Sequence, residues 1–231
     1  MPNLTLSVII PVFNEEKTIL EVIERLEKVD FSSLGFQTEI IIVDDGSTDS
    51  TPSFIKQLEG KYKVFYHPQN QGKGAAIKTA LNHVTGEYVV IQDADLECHP
   101  RDIPKLLEVA VKNNAQIVNG SRWLEPKNSH PYKLFYWGGF FLTRLTNFLY
   151  GQEMTDVLSC YKLFKTSFLK NIVWASRRFG FNCEVVAKTA RKGIKIPEVA
   201  IGYTPRGHEG AKKIRLRDGL QMIKVLLENR F

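Results

Sequence analysis

Three short polar clusters hold the residue types that can do chemistry: Asn14-Glu15, Asp44-Asp45-Gly46-Ser47 and Gln92-Asp93-Ala94-Asp95. In the last of them two carboxylates flank one residue. That spacing presents hard oxygen ligands to Mg2+ or Mn2+ and leaves the other coordination positions to water and substrate phosphates, so it suits a site that handles a diphosphate. Taken singly, each cluster has a plain structural reading, since Asp-Gly-Ser makes a good turn and Asp49 a good helix cap. Together they say more, because each follows a short apolar run. Other reactive types are less suggestive. His67, His83, His99, His130 and His208 show no metal spacing and read as surface or loop residues. Cys98, Cys160 and Cys183 are odd in number, widely spaced and without a C-x-x-C pair, which excludes a disulfide framework or zinc site as an expectation and favours a reducing compartment.

The elements that must position these clusters are legible from pattern. Thr5–Ile10, Glu39–Val43 and Tyr88–Ile91 are β-branched runs apolar on both faces, as buried parallel strands are. Between and after them lie helical patterns at Glu15–Val29, Asp49–Leu58, Gly72–Val84 and Arg101–Asn113. Strand alternating with helix predicts a doubly wound parallel sheet, and in such sheets the ligand crevice lies beyond the carboxyl ends of the strands. The three polar clusters therefore converge on one edge. A further strand is expected at Gln116–Asn119, a loop at Gly120–Pro131, an aromatic helix at Tyr132–Tyr150 that Gly138-Gly139 would kink or divide, a helix at Phe181–Lys192, a strand at Ile194–Tyr203 and a terminal helix at Leu216–Asn229.

No G-x-x-x-x-G-K-[ST] loop is present, and Gly72-Lys-Gly-Ala-Ala-Ile77 departs from G-x-G-x-x-G at its third glycine. That segment is expected to open a helix with Lys73 near an anion. At 231 residues and roughly 100–200 residues per domain, one core is the working expectation. A chain 43% hydrophobic and 24% charged lies away from disordered or collagen-like compositions. The net charge is +6, and the last 26 residues carry seven cations (Arg206, Lys212, Lys213, Arg215, Arg217, Lys224, Arg230) against three anions, an excess of four. A basic nucleic-acid-binding module would not require carboxylates at three strand ends, so nucleic acid is not an expected partner. No signal peptide is read at the N-terminus, and the longest uncharged aromatic-rich stretch is far below the roughly 18 residues that span a bilayer.

The segments SVIIPVFNEE, EIIIVDDGSTDST, NQGKGAAIKTAL, GEYVVIQDADLE and NGSR stand in the order and spacing of glycosyltransferase family 2, which the chain resembles over about residues 5–125. Within that family it looks like the polyprenyl-phosphate sugar synthases of the dolichyl-phosphate mannose synthase and dolichyl-phosphate glucosyltransferase type, through TDVLSCYKLFK (155–165), IPEVAIGYTPR (196–206) and the basic C-terminal helix. The resemblance implies an α/β fold of the nucleotide-diphospho-sugar transferase (GT-A) type, a mostly parallel central sheet with helices on both faces. It implies one domain over 1–231, with a nucleotide-sugar-binding half (1–125) and an acceptor-binding, membrane-docking half (126–231). Pro11, Phe13, Asn14, Glu15, Asp44 and Asp45 would line the nucleotide pocket. Asp93 and Asp95 would hold metal and donor, with Glu97 as a third ligand of Mg2+ or Mn2+. Relatives often carry Tyr at the place of Phe13 and Gln at that of Glu97.

On the acceptor side, Arg122, Lys133 and Arg206 lie in stretches that resemble the lipid-phosphate contacts of those synthases. A phosphate monoester, with a second pKa of about 6, is mostly dianionic at neutral pH and needs cations to hold it but no general base. A hydroxyl acceptor needs a positioned base, and the Q-x-x-R-W segment of processive relatives is absent. Asp156 is the one carboxylate in a suitable family segment and keeps the hydroxyl reading open; its structural alternative is an Asp that accepts backbone N–H bonds. The expected reaction is transfer of a hexose, with inversion, from a nucleoside diphosphate sugar (GDP-mannose or a UDP-hexose) to a dolichyl or undecaprenyl phosphate. The rivals are a sugar or protein hydroxyl acceptor and, more distantly, nucleotidyl transfer. Trp, Tyr and Phe with flanking cations in 132–150 suit an interfacial helix, whose alternative is a core helix. The expected setting is peripheral, on an anionic cytoplasmic membrane face, with room for a membrane-protein partner.

Overall fold

A computed structural model describes residues 4–206 and 216–230. His208, Lys212, Lys213 and Arg215 lie outside the described residues. Among the described residues seven strands form one sheet: β1 (Leu4–Val12), β2 (Phe36–Asp44), β3 (Lys63–Tyr66), β4 (Tyr88–Ile91), β5 (Ile117–Ser121), β6 (Lys162–Lys165) and β7 (Glu198–Ala200). Their order is β3-β2-β1-β4-β6-β5-β7, and β6 alone runs antiparallel to its neighbours. From β1 the chain winds outward through β2 and β3, then returns to place β4 on the other side of β1. This reversal opens a crevice beyond the carboxyl ends of β1 and β4.

Side chains alternate faces along a strand, and the central strands bury both. Ile9, Ile41, Val43, Val89 and Ile91 meet α3 (Lys73–Leu81), α5 (Lys133–Tyr150), α7 (Gly180–Arg191) and α8 (Leu216–Glu228) on one face. Val8, Ile10, Ile42 and Val90 meet α1 (Ile19–Glu27), α2 (Thr51–Lys56) and α4 (Ile103–Lys112) on the other. Each such aliphatic side chain contributes about 1.5–3 kcal/mol by leaving water.

Four elements depart from the sequence reading. The short strand β3 sits at the sheet edge with half-exposed side chains, so its apolar signal is weak. Strand β6 begins and ends in lysine; Lys162 is nonetheless fully buried, its Nζ donating to the Val157 and Ser159 carbonyls at 3.0 and 2.6 Å, and burial pulls its pKa down to about 8. A short helix, α6 (Thr166–Lys170), follows it. Helix α5 is continuous over 18 residues through Gly138-Gly139. Its buried residues are Leu142, Thr143 and Thr146, while Leu134, Trp137, Phe141 and Phe148 are exposed. It is thus not a core helix along most of its length. Among the described residues no helix is long and apolar enough to cross a membrane.

Candidate active site

A cavity of about 620 Å³ opens beyond the carboxyl ends of β1, β2 and β4. Of the residues singled out in the sequence, Pro11, Phe13, Glu15, Asp45, Lys73, Asp93, Asp95, Glu97, Arg122 and Arg206 line it. Asn14, Asp44, Lys133 and Asp156 are not among its lining residues.

The first two groups of the cavity wall are built by loops that clasp each other. Asn14 takes φ +53°, a left-handed turn that Asn tolerates, and this delays α1 to Ile19 rather than the predicted Glu15. Its Oδ1 accepts from the Thr48 N–H at 2.8 Å and its own N–H donates to the Ser47 hydroxyl at 2.9 Å. Asp44, buried, accepts from the Ser47 N–H at 3.2 Å, and burial raises its pKa above the ordinary carboxylate value. Asp45 accepts from the Gln71 and Gly72 N–H groups at 2.9 and 2.7 Å and meets His67 Nδ1 at 2.7 Å. His67 is therefore no surface residue: its ring is 8% exposed and bridges Asp45 to the Thr79 hydroxyl. Asn14 and Asp44 shape the rim from behind it.

Asp93 and Asp95 differ in state although two residues apart. Asp93 is ion-paired to Lys73 Nζ at 2.5 Å. Burial alone would lower the Lys73 pKa, but the carboxylate outweighs it and holds the ammonium above its ordinary value. In this structure Lys73 thus stands beside an anionic side chain of the protein. Asp95 stands at a turn whose next residue, Leu96, has φ +61°; its Oδ1 accepts from the Glu97 N–H at 3.1 Å and its Oδ2 lies 3.9 Å from Arg206 Nη2. Its side chain is 25% exposed to the cavity side. Glu97 takes the Arg206 N–H at 3.3 Å. Among the described residues no three His, Cys, Asp or Glu side chains gather into a cage. The donor set fits a hard cation held by one or two carboxylates and completed by substrate phosphates, not a site closed by protein.

Cations come from later in the chain. Arg206 donates to Glu15 Oε2 at 2.7 Å and to the Asp95 carbonyl at 3.0 Å, tying the ends of β1 and β4 together. Arg122 is gripped by Asp156 through Nε at 2.7 Å and Nη2 at 2.8 Å, with the Arg122 N–H on the same carboxylate at 3.2 Å. Asp156 is 2% exposed. Burial would raise its pKa, and the guanidinium overcomes this and holds it low. Asp156 thus sits behind the cavity wall and grips Arg122, the placement of a carboxylate that supports a guanidinium. Lys133 is exposed at the start of α5 and is not among the residues that line the cavity.

Several residues of the site carried no sequence signal. Glu198 accepts from the Thr155 N–H and hydroxyl, both at 2.6 Å, and from Asn119 Nδ2 at 2.7 Å, fixing the loop that carries Asp156. Cys98 and Cys160, 62 positions apart, bring their sulfurs to 3.2 Å on the cavity wall. Arg178, Phe179, Asn182, Arg217 and Met222 close the far wall. That wall explains the Gly72-Lys-Gly74 segment. A Cβ at Gly72 would lie 2.6 Å from the Arg177 carbonyl, and one at Gly74 2.3 Å from that of Ser176. Close approach of the 176–178 backbone requires both glycines. Gly74→Ala should therefore lower the unfolding free energy measured in urea, by about 1–3 kcal/mol as overpacking does. Gly138→Ala, in open space on an exposed helix, should raise it by about 0.5–1 kcal/mol. Equal effects would refute this account.

The family model described as glycosyl transferase family 2 matches residues 7–173. An uncharacterised protein of Methanocaldococcus jannaschii is 32% identical over 210 residues, covering 84% of this chain and 87% of its own. Two Haloferax volcanii proteins, glycosyltransferase AglJ and the low-salt glycan biosynthesis hexosyltransferase Agl6, are 28% and 29% identical. This chain spans 63% and 54% of their lengths. Among solved structures, glucosyl-3-phosphoglycerate synthase from Mycobacterium tuberculosis with UDP superposes with TM-score 0.73 at 22% identity, over 98% of this chain and 80% of that one. The same enzyme with Mn2+, UDP-glucose and phosphoglyceric acid gives 0.71 at 21%, over the same shares of the two chains. The chain has the GT-A fold and belongs to glycosyltransferase family 2.

Proposed function

We propose that this family 2 glycosyltransferase moves a hexose from a nucleoside diphosphate sugar to a polyprenyl phosphate, with the second half of the chain serving acceptor and membrane. One observation carries the acceptor class: a file of rings in stacked and edge-on contact leads from the cavity to the exposed face of α5. Arg122, on the cavity wall, lies 5.3 Å over the Tyr203 ring. Tyr203 stacks on His130 at 5.8 Å, His130 meets Trp123 at 6.3 Å, and Trp123 stacks on Tyr136 and Phe140 at 4.9 and 5.7 Å. The Trp123 ring also packs on α5 at Gly139, 3.8 Å from where a Cβ would stand, an ordinary van der Waals distance. A phosphate at Arg122 with an apolar chain along these rings matches that arrangement.

In this reading Pro11, Phe13 and the Asp44–Asp45 loop receive the nucleoside. Asp95, with Asp93 and Glu97 beside it, would hold Mg2+ or Mn2+, which would supply Lewis-acid stabilisation of the departing diphosphate; the structures of the mycobacterial synthase with Mn2+ and with Mg2+ support a divalent metal in this reading. Arg206 and Arg122 hold the acceptor phosphate facing the anomeric carbon. An acceptor oxygen bonds to that carbon as its bond to the diphosphate oxygen breaks on the opposite side, so configuration inverts. The nucleophile is already ionised, and no side chain has to remove a proton. Glu15 releases Arg206 when phosphate oxygens compete for its guanidinium.

Incubation with UDP- and GDP-hexoses, each with a short polyprenyl phosphate or its free alcohol, tests the proposal. Product from the phosphate alone supports it. Product from the alcohol or from a soluble hydroxyl compound refutes it.

A peripheral setting follows from the exposed aromatics of α5 and the cations of the C-terminal region, each about 1 kcal/mol near an anionic surface. The protein should co-sediment with anionic vesicles at low salt and less so as salt screens the attraction. Trp137→Ser with Phe141→Ser should reduce co-sedimentation further. Absence of vesicle binding by the wild type would remove the membrane from the proposal.

A further inference from the structure

The far wall of the cavity is built with more care than a lining requires. Arg178 belongs to the segment seated on Gly72 and Gly74, where the Ala75 N–H donates to the Arg177 carbonyl at 3.0 Å. The buried Glu184 carboxylate takes the Ala175 and Ser176 N–H groups at 3.0 and 2.8 Å. From that fixed backbone the Arg178 side chain crosses to α8, where its Nε donates to Asp218 at 3.1 Å, a carboxylate whose side chain is 3% exposed. Arg217, the residue before it, lines the same wall.

Asn182 supplies a second, independent sign. It lies one turn into α7, lines the cavity and is 6% exposed. Its Nδ2 reaches the Leu158 carbonyl at 3.5 Å, and its Oδ1, shut off from solvent, has no hydrogen-bond partner among the described residues. A buried carbonyl left without a donor costs about 1–3 kcal/mol, and a substrate hydroxyl carried next to a phosphate would supply one. Two guanidinium groups beside it select an anion, and guanidinium groups match phosphate geometry through paired N–H donors. Phe179, Met222 and Leu158 complete the wall and offer an apolar flank.

We propose that Arg178 and Arg217, with Asn182 beside them, form a second anion subsite in the cavity that Arg122 and Arg206 also line, where the two guanidinium groups take a phosphate of a substrate and the Asn182 carbonyl takes a neighbouring hydroxyl. The proposal rests on the reading of the cavity as the seat of a nucleoside diphosphate sugar and a phosphorylated acceptor. Two sources offer the same chemistry, the donor diphosphate and the acceptor phosphate.

Equilibrium binding of three probes separates them: UDP with MnCl2, a ten-carbon isoprenyl monophosphate, and inorganic phosphate. Arg217→Gln is the main variant because its side chain is exposed and its loss leaves the fold intact; Arg178→Lys keeps a charge for Asp218 and reports the paired-donor geometry. Arg217→Gln should weaken inorganic phosphate and one of the larger probes by about tenfold, the equivalent of one charge-assisted hydrogen bond, and leave the other within threefold. A loss on UDP assigns the donor diphosphate, and a loss on the isoprenyl phosphate the acceptor. Unchanged UDP and inorganic phosphate affinity in both variants, with melting temperatures preserved, overturns the subsite unless isoprenyl phosphate binding falls. A wild type that binds UDP and inorganic phosphate but no isoprenyl phosphate refutes the lipid acceptor instead, and the subsite then stands or falls on the UDP and inorganic phosphate arms.

Discussion

Asp95→Ala should lower kcat by about a thousandfold or more while the protein melts as the wild type does. The magnitude follows from the several kcal/mol that a metal ion contributes at a charged transition state, and the normal melting follows from geometry. The Asp95 carboxylate is partly exposed, holds one turn N–H at 3.1 Å and meets Arg206 only at 3.9 Å, so its removal strands no buried charge. Asp93→Asn should behave differently. It leaves the Lys73 ammonium, 13% exposed, without its counter-charge, and breaking such a pair costs about 3 kcal/mol. The two carboxylates of one D-x-D triplet should thus separate, one by activity alone and the other by activity and stability together. Chelation with EDTA should abolish wild-type transfer. Binding of Mn2+ in the presence of UDP, followed by electron paramagnetic resonance, should weaken at least tenfold in Asp95→Ala. Full activity in EDTA, or unchanged Mn2+ affinity, would remove Asp95 as a ligand.

The ends of the central strands were legible because burial and chemistry change abruptly there. Ile9-Ile10, Ile41-Ile42-Val43 and Val89-Val90-Ile91 must be apolar on both faces in a covered sheet, and the polar residues that follow have no reason to interrupt such runs except a turn or a site. What pattern could not tell was which polar residues face the cavity. Gln92 turns inward and accepts from the Tyr161 hydroxyl, fully buried, while Asp93 one residue later lines the cavity. Asp45 and His67 face each other across 22 positions, a pairing made by the crossover from β2 to β3 and invisible in either segment. The same holds for Glu198, Arg178 and Asn182. Their partners lie on other elements, and a lone glutamate in a strand or an arginine pair before a helix reads as solvated until the fold brings a cavity to it. Strand β6 was missed because a fully buried lysine defeats any hydropathy pattern: Lys162 is tolerated only through the two carbonyls that accept its protons.

Asp156→Asn distinguishes a base from a support. Both Arg122 contacts would be disturbed, since an amide offers one acceptor where the guanidinium needs two and turns an N–H2 group toward it. Stability should fall by about 3 kcal/mol, the lower end of the range for breaking a buried pair, because Arg122 retains 21% exposure. The pH dependence has a defined sign. The folded pKa of Asp156 is held below its unfolded value of about 3.9, so the pair's contribution is fully present above that value and is lost as pH falls through the folded pKa. The stability gap between wild type and Asp156→Asn should be constant above about pH 5 and close below about pH 4. On activity, a support that acts through Arg122 predicts that Asp156→Asn, Arg122→Lys and the double variant lose similar factors, because each removes the same interaction. A base predicts losses that multiply in the double variant and a kcat profile stripped of its acidic limb. Multiplying losses together with a vanished acidic limb would return the reaction to a hydroxyl acceptor and refute the assignment of Asp156 to the wall behind Arg122.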